Sequence, residues 1–182
     1  MRTRDSGFPF TAKIPSLCAT ILMKQRVKWI FGGVLLAVGL LQFTNPARTN
    51  PPVVPGHDFL ASNAPPAQIV GLLRGACYDC HSFESQWPWY SRVAPISWWV
   101  VGHVNDGRKD LNFSAWPYDR PDRERSRYRK IRDTLESGEM PLSVYAWMHP
   151  AARLSDSDRK SLAEWADAEA QRLKAADGGG EK

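Results

Sequence analysis

Five consecutive residues place two thiols and an imidazole side by side: Cys77-Tyr78-Asp79-Cys80-His81. Two cysteines separated by two residues and followed at once by a histidine form the attachment pattern of a c-type haem. About one helical turn separates the thiols, so both sulfurs can reach neighbouring vinyl groups of one porphyrin. The motif therefore predicts covalently attached haem c (iron), with Cys77 and Cys80 as the thioether residues and His81 as the proximal iron ligand.

Two other chemistries also use a Cys-x-x-Cys pair. A thioredoxin-like redox pair belongs in a strand–helix–strand context, and no such pattern surrounds this motif. A zinc site wants about four tetrahedral ligands. His103 or His149 could complete such a set, but adjacent ligands at Cys80 and His81 make that geometry awkward. The sequence therefore favours haem attachment.

The opposite face of the iron needs a second ligand, and methionine and histidine are the usual residues there. Met140 follows a glycine-terminated helix and precedes Pro141, in a loop before the last predicted helix. A small cytochrome c places its methionine in such a loop. His103, on a tryptophan-rich helix, is the alternative distal ligand, and Met148, His149 or an open sixth position are the remaining possibilities. We expect Met140 first and His103 second.

An apolar segment before the motif indicates how the motif is delivered. Residues 24–44 hold an apolar run that begins at Trp29 and follows three basic residues. The run reaches the short end of the range of about 17 to 25 residues that spans a bilayer, and the basic residues favour a cytoplasmic N-terminus. No clean cleavage site follows. We therefore expect an uncleaved single-pass anchor in the cytoplasmic membrane, with the haem domain on the periplasmic, extracytoplasmic side.

Changes in composition divide the remainder of the chain. Residues 1–23 form an uncertain N-terminal extension or cytoplasmic tail, and Met23 opens a second basic region at which the chain could start. Residues 45–64 are rich in proline, which predicts a semi-rigid linker that holds the domain off the membrane. We place the haem-binding domain at residues 65–175 and a disordered tail at residues 176–182.

Apolar residues recur at three- and four-residue spacing in four stretches of the domain, which predicts four helices. These stretches are residues 67–76, 95–106, 123–136 and 155–173. The predicted fold class is all-α: a cytochrome c-like domain packed around covalently attached haem, preceded by a transmembrane helix. The last helix should cross the helix that enters the motif, with Trp165 in their interface.

Composition narrows the choice of partners. The chain has 182 residues, eight tryptophans and a net charge of +5. Dense aromatic side chains suit a small core around a large, flat, apolar ligand. The arginines between residues 120 and 132 alternate with acidic residues, which is typical of a solvated helix face. We therefore expect no nucleic-acid partner.

A longer set of residues carries a resemblance to a known family. These are Cys77-Tyr78-Asp79-Cys80-His81-Ser82, Trp87-Pro88-Trp89-Tyr90-Ser91, Pro95-Ile96-Ser97-Trp98, His103-Val104, Gly107-Arg108, Leu111-Asn112-Phe113-Ser114, Trp116, Gly138-Glu139-Met140-Pro141, Tyr145, His149-Pro150, Leu154-Ser155 and Trp165. About residues 65 to 170 resemble the small bacterial haem-binding domain family, a cytochrome c-like domain of membrane-anchored exported proteins. The resemblance implies haem binding and names neither a reaction nor an electron partner.

The sequence leaves more than one function open. The first is a carrier of single electrons with His81 and Met140 as axial ligands, which needs an unidentified redox partner protein and is not an enzyme. The alternative is a haem-based sensor or a peroxidase-like enzyme with a weak or open sixth position. Such an enzyme would need a distal acid–base group, and His103 with Arg108 is the pair that the sequence offers. A structural haem module of a larger complex is a third possibility.

Overall fold

The structure is a computed structural model that describes residues 17–178. Its α-helices are α1 Leu17–Leu41, α2 Phe59–Asn63, α3 Ala67–Ala76, α4 Tyr78–His81, α5 Ile96–Asp110, α6 Pro121–Glu136, α7 Ser143–Met148 and α8 Asp156–Gly178. Short 3₁₀ turns occupy Gln42–Thr44, Trp89–Arg92 and Pro150–Ala152. No strand lies in the part of the chain that is described, and the predicted all-α class is confirmed.

The chain divides into two compact units after Thr44. The first unit contains α1 and the 3₁₀ turn that follows it, and the stretch Leu22–Thr44 is long and apolar enough to cross a membrane. A signal sequence near the N-terminus would have the same length and composition. The first sixteen residues of the expected N-terminal extension lie outside the described residues.

The second unit, Asn45–Lys182, is built around a buried aromatic and aliphatic core. Helices α6 and α8 make its most extensive pairing, while α8 contacts α3 less extensively. Tyr128, Ile131 and Leu135 of α6 are buried at three- and four-residue spacing, as the sequence predicts. Trp165 packs against this core, with its ring centroid 5.6 Å from that of Tyr128. The main partner of the last helix is therefore α6 rather than the helix that enters the motif.

The proline-rich segment 45–64 differs from the expected linker because it is part of the second unit. Phe59 is fully buried, and its ring centroid lies 4.5 Å from that of Trp116. The Phe59 amide donates to the Phe113 carbonyl at 2.8 Å, and the Val54 amide donates to the Ser114 carbonyl at 3.2 Å. Proline fixes an extended backbone but does not prevent its neighbours from packing. Segment 45–64 is therefore folded onto the rest of the second unit.

Two helices continue past their predicted ends. Helix α5 runs through Asp106 and Gly107 to Asp110, and α8 reaches Gly178 instead of stopping near residue 173. The expected tail is therefore helical as far as Gly178, and residues 179–182 lie outside the described range. Helix α6 ends where expected, and Gly138 takes a φ of +74°, a left-handed value that favours glycine.

Candidate haem site

Cys77, Cys80 and His81 of the motif line one apolar cavity of about 400 Å³ in the second unit. Its walls come from the end of α3, the motif helix α4, the C-terminal halves of α5 and α6, and residues 139–145. Cofactor sites are usually concave, mostly apolar and about 300 to 1,000 Å³ in volume. The cavity has the character and size of such a site.

The local backbone turns the motif toward this cavity. The Cys77 amide donates to the Leu73 carbonyl at 2.9 Å, which carries the hydrogen bonding of α3 into the motif. The His81 amide donates to the Cys77 carbonyl at 2.9 Å. Tyr78 points into the core, where it is 3% exposed and stacks on Phe113 with ring centroids 5.0 Å apart. One face of the short helix is therefore core, and the other carries the thiols and the imidazole.

Two carbonyls of the chain orient the His81 ring. Nδ1 lies 2.9 Å from the Gly107 carbonyl oxygen and 3.1 Å from the Leu111 carbonyl oxygen. Because carbonyls only accept, Nδ1 carries the proton and donates, which leaves the lone pair on Nε2. Burial lowers the pKa of His81, against the opposing effect of these two hydrogen bonds. A neutral imidazole with a fixed tautomer is the form that binds iron.

Gly107 allows α5 to pass close to the motif. A Cβ atom at this position would lie 2.9 Å from the Cys80 carbonyl oxygen and 3.3 Å from Cε1 of His81. Both separations are shorter than ordinary van der Waals contacts. The sequence predicted a helix end at this glycine and missed its packing role, although a glycine inside a helical pattern often marks close backbone approach.

The two motif cysteines are half-buried, and neither of them forms a disulfide. Burial, followed by the neighbouring Cys80, raises the pKa of Cys77 to about 12. Burial, followed by the charge of Asp79, raises the pKa of Cys80 to about 11. Zinc binds thiolates, and these environments disfavour the thiolate form. Among the described residues, no three His, Cys, Asp or Glu side chains form a group that could hold a metal ion.

Met140 and His103 both line the cavity that His81 lines. Met140 is half-buried, and its amide donates to the Thr134 carbonyl at 3.2 Å. Its own carbonyl accepts from Nη1 of Arg159 at 2.6 Å, so α6 and α8 hold the Met140 loop. His103 is exposed, and its Nδ1 lies 2.9 Å from the Trp99 carbonyl oxygen.

The other two candidates for the distal position lie elsewhere. Met148 lines a smaller neighbouring pocket. His149 stacks on Tyr145 with ring centroids 4.0 Å apart, and its Nδ1 lies 3.0 Å from the Tyr145 carbonyl oxygen. Neither residue lines the cavity that contains the motif. The structure therefore brings Met140 and His103 together with His81, and leaves Met148 and His149 apart.

Arg108 lies on the other side of the motif, where it ties segments together. Its Nε donates to the Ser82 carbonyl at 2.7 Å, and its Nη1 donates to the Thr49 carbonyl at 2.8 Å. Nη2 donates to Asn50 Oδ1 and to Ser85 Oγ, both at 2.9 Å. All three nitrogens of the guanidinium are therefore engaged with the loop after the motif and with segment 45–64.

The sequence did not predict that Lys130, Asp110 and Tyr145 would contribute polar groups to the cavity wall. Lys130 Nζ lies 3.2 Å from Asp110 Oδ1, and both residues are at the cavity wall. The Tyr145 hydroxyl donates to Asp79 Oδ2 at 2.6 Å and so ties the Met140 side of the cavity to the motif. Helical spacing placed Lys130 on a solvated face, and only the tertiary fold brings it to this cavity.

The described part of the second unit is all-helical, and the two cysteines and the histidine of its Cys-x-x-Cys-His motif line one apolar cavity. This combination is typical of haem-binding proteins. Comparison with known families agrees: the chain belongs to the haem-binding domain family, whose model matches residues 36–168. The resemblance inferred from the sequence is thereby confirmed. Neither the comparison with curated proteins nor that with solved structures gave a match.

Proposed function

We propose that this chain is a membrane-anchored c-type haem protein that carries single electrons outside the cytoplasmic membrane. The observation that carries the proposal is the common cavity of the two motif thiols, His81 and Met140. Family membership supplies the haem; the covalent bonds, the axial ligands and the electron transfer are our inference from these residues.

Four residues of the cavity have a definite role in this proposal. Cys77 and Cys80 would form the thioether bonds, and His81 would bind iron through Nε2 while Nδ1 stays hydrogen bonded to α5. Met140 would supply the sulfur ligand from a loop that α6 and α8 hold in place. When bound, haem supplies an iron that changes between the ferric and ferrous states. The apolar walls limit the access of water to it.

The alternative of a sensor or peroxidase-like enzyme receives less support. A distal acid–base pair of His103 and Arg108 would need the guanidinium near the imidazole. The hydrogen bonds of Arg108 instead run to Ser82, Ser85 and segment 45–64. His103 lines the cavity whereas Arg108 does not, and His103 remains the alternative distal ligand.

Features of the first unit support the proposed location. Leu22–Thr44 is long and apolar enough to span a bilayer, and the basic residues Lys24, Arg26 and Lys28 favour a cytoplasmic N-terminus. The haem domain would then lie on the periplasmic side. This agrees with the covalent attachment of haem to Cys-x-x-Cys-His motifs outside the bacterial cytoplasm.

Absorption spectra of the haem-loaded full chain test the ligand assignment. We expect a low-spin, six-coordinate ferric spectrum with the weak far-red sulfur-to-iron band. The band should disappear in Met140→Ala and persist in Met148→Ala, because Met148 lies outside the cavity. The ferrous Met140→Ala variant should bind carbon monoxide much faster than the wild type does.

Three results would contradict this assignment. A wild type without the far-red band, or a Met140→Ala variant that keeps it, would exclude the methionine ligand. Loss of the low-spin spectrum in His103→Ala, with Met140→Ala unchanged, would assign the sixth position to His103. Rapid binding of carbon monoxide to the wild-type ferrous protein would favour the sensor or enzyme.

A further inference from the structure

We propose that the haem domain lies directly against the lipid bilayer through an exposed apolar surface, the bilayer-facing patch, formed by Trp89, Val93, Ile96 and Trp98. The inference rests on the proposed anchoring of the chain by residues 22–44. It goes beyond that anchoring, because an anchor by itself leaves the orientation of the domain open.

The side chains of the patch are large, apolar and exposed. Trp89 is 77% exposed, Ile96 48%, Trp98 40% and Val93 39%. The 3₁₀ turn that carries Trp89 packs against α5, which carries Ile96 and Trp98. Val93 lies in the short connection between them, where its carbonyl accepts from the Ser97 amide at 2.9 Å. Tryptophan is enriched at membrane–water interfaces, where its ring meets the acyl chains and its N–H meets the headgroups.

Helix α5 of the patch is hydrogen bonded to the residue that directly follows the candidate membrane span in the sequence. The span ends at Thr44, and the next residue, Asn45, accepts a hydrogen bond from the Ser97 hydroxyl through Oδ1. Ser97 lies between Ile96 and Trp98. Consecutive Cα atoms are about 3.8 Å apart, so Asn45, the residue that contacts this part of α5, is one such step from the last residue of the span.

A second attachment lies three residues further on. Nη1 of Arg48 donates to the Ser91 carbonyl at 3.1 Å, and Ser91 lies between Trp89 and Val93 in the sequence. The chain that leaves the span is thus fixed to both elements of the patch. If residues 22–44 cross a bilayer, the patch is held near its surface.

The charges around the patch suit the anionic surface of a bacterial membrane. No Asp or Glu occurs from residue 85 to residue 105, or from residue 45 to residue 57. Both segments carry an arginine, Arg92 in the first and Arg48 in the second. Basic side chains next to an apolar surface are attracted to anionic headgroups. Lipid is therefore the occupant that the chain path and the charges favour together.

Helix α7 provides a matched control surface. Val144 and Trp147 are 45% and 74% exposed, so apolar exposure there is similar to that of the patch. The hydrogen bonds of Asn45, Arg48, Thr49 and Asn50 lead to the motif loop, the turn Trp89–Arg92 and α5. We therefore expect no lipid contact at Trp147.

The test is photo-crosslinking of the haem-loaded full chain in vesicles of phosphatidylcholine and phosphatidylglycerol that contain a lipid with a photoactivatable headgroup. Mass spectrometry should find lipid adducts in the anchor and in residues 89–98. The variant Trp89→Ser with Ile96→Ser should lower the adducts on residues 89–98 about fivefold, because interfacial binding scales with buried apolar area. Trp147→Ser should leave them unchanged. An unchanged haem spectrum shows that each variant is folded.

The other outcomes separate this proposal from the one on which it rests. Adducts confined to residues 22–44 would overturn the bilayer-facing patch and leave the anchoring intact. Adducts in neither segment would overturn both. Equal labelling of residues 89–98 and 143–148 would show that the domain has no preferred face. A change from dimer to monomer in the double variant, without lipid adducts in the wild type, would assign the patch to a second copy of the chain.

Discussion

At Gly107, α5 passes so close to the haem motif that a side chain larger than hydrogen does not fit. The neighbours are the Cys80 carbonyl oxygen and the His81 ring. The same backbone supplies one of the two carbonyls that orient His81 Nδ1. The close approach of α5 to the motif and the orientation of the His81 ring therefore both depend on Gly107.

Replacement of this glycine tests that dependence. Gly107→Ala should lower the free energy of unfolding by about 1 to 3 kcal/mol, because a rigid backbone carbonyl must move away from the new methyl group. The haem spectrum should change with it, since His81 loses its orientation. Denaturant titration and absorption spectroscopy measure the two effects.

Gly102 on the same helix is the matched control. No atom lies within 4 Å of a Cβ built there. Gly102→Ala should therefore raise stability by up to about 1 kcal/mol through helix propensity alone. Equal effects of the two substitutions would show that the close approach at Gly107 has no energetic consequence.

The residues of the site differ in how far the sequence could predict them. Cys77, Cys80 and His81 follow from local spacing, since their chemistry is fixed within five residues. Lys130 and Gly107 reach the cavity only through the packing of α5 and α6 on the motif. No periodicity within one helix contains that information.

Among the elements, segment 45–64 has the least expected role. Its prolines predict an extended chain, and its backbone is hydrogen bonded to residues 113–116. The Asp58 carboxylate accepts from the Ala61 amide at 2.7 Å and begins α2, which carries the fully buried Phe59. A helix of five residues has too few apolar positions to show helical periodicity, so the sequence pattern could not predict it within a proline-rich segment.

Phe59→Ala should therefore destabilise the haem domain although it lies in the proline-rich segment. Removal of a buried phenylalanine costs about 3 to 5 kcal/mol through lost burial and a cavity. Val54→Ala, in the same segment but 38% exposed, should cost less than about 1 kcal/mol. Thermal unfolding of both variants measures the difference. A Phe59→Ala variant with the stability of the wild type would restore the linker interpretation.

The helices that the sequence predicted well are those whose ends carry local signals. Helix α3 covers Ala67–Ala76 as predicted, because proline precedes it and the motif follows it. Helix α6 ends before Gly138, which takes the left-handed conformation. Helix α5 continued past its predicted end because Gly107 is favoured there by packing against the motif, which outweighs its low helix propensity.

On the scale of the whole molecule, we expect buried and half-buried tyrosines to make the stability sensitive to high pH. Burial is the largest cause that raises the pKa of Tyr78, Tyr128 and Tyr145 far above its ordinary value. Burial also raises the pKa of Tyr118 to about 12. In the unfolded chain these hydroxyls would ionise near pH 10.

The direction of the pH effect follows from these shifts. Below about pH 10 the tyrosines are protonated in both states, and their contribution to stability is fully present. Above it the unfolded chain releases protons that the folded chain keeps, so the free energy of unfolding falls as pH rises. We expect a flat denaturation midpoint from pH 7 to 9 and a steep decline from pH 10 to 12.

Tyr128→Phe identifies the source of this decline. The variant loses the hydrogen bond that the Tyr128 hydroxyl accepts from Asn63 Nδ2 at 2.7 Å. It should therefore be about 1 kcal/mol less stable than the wild type at pH 8. The difference should shrink or reverse at pH 11, because the ionising group has been removed. Parallel pH profiles for the two proteins would show that Tyr128 does not contribute.

The attachment of segment 45–64 to the domain has a consequence for the proposed electron transfer. A free chain of twenty residues would let a tethered domain explore a radius of about 25 Å. Here Asn45, Arg48 and Asn50 are each hydrogen bonded to the domain, which removes that reach. If residues 22–44 anchor the chain in a membrane as proposed, the domain would move sideways in the plane of that membrane and hardly at all away from it. A redox partner of the proposed carrier would then have to come to the membrane surface, and their encounter would be a search in two dimensions.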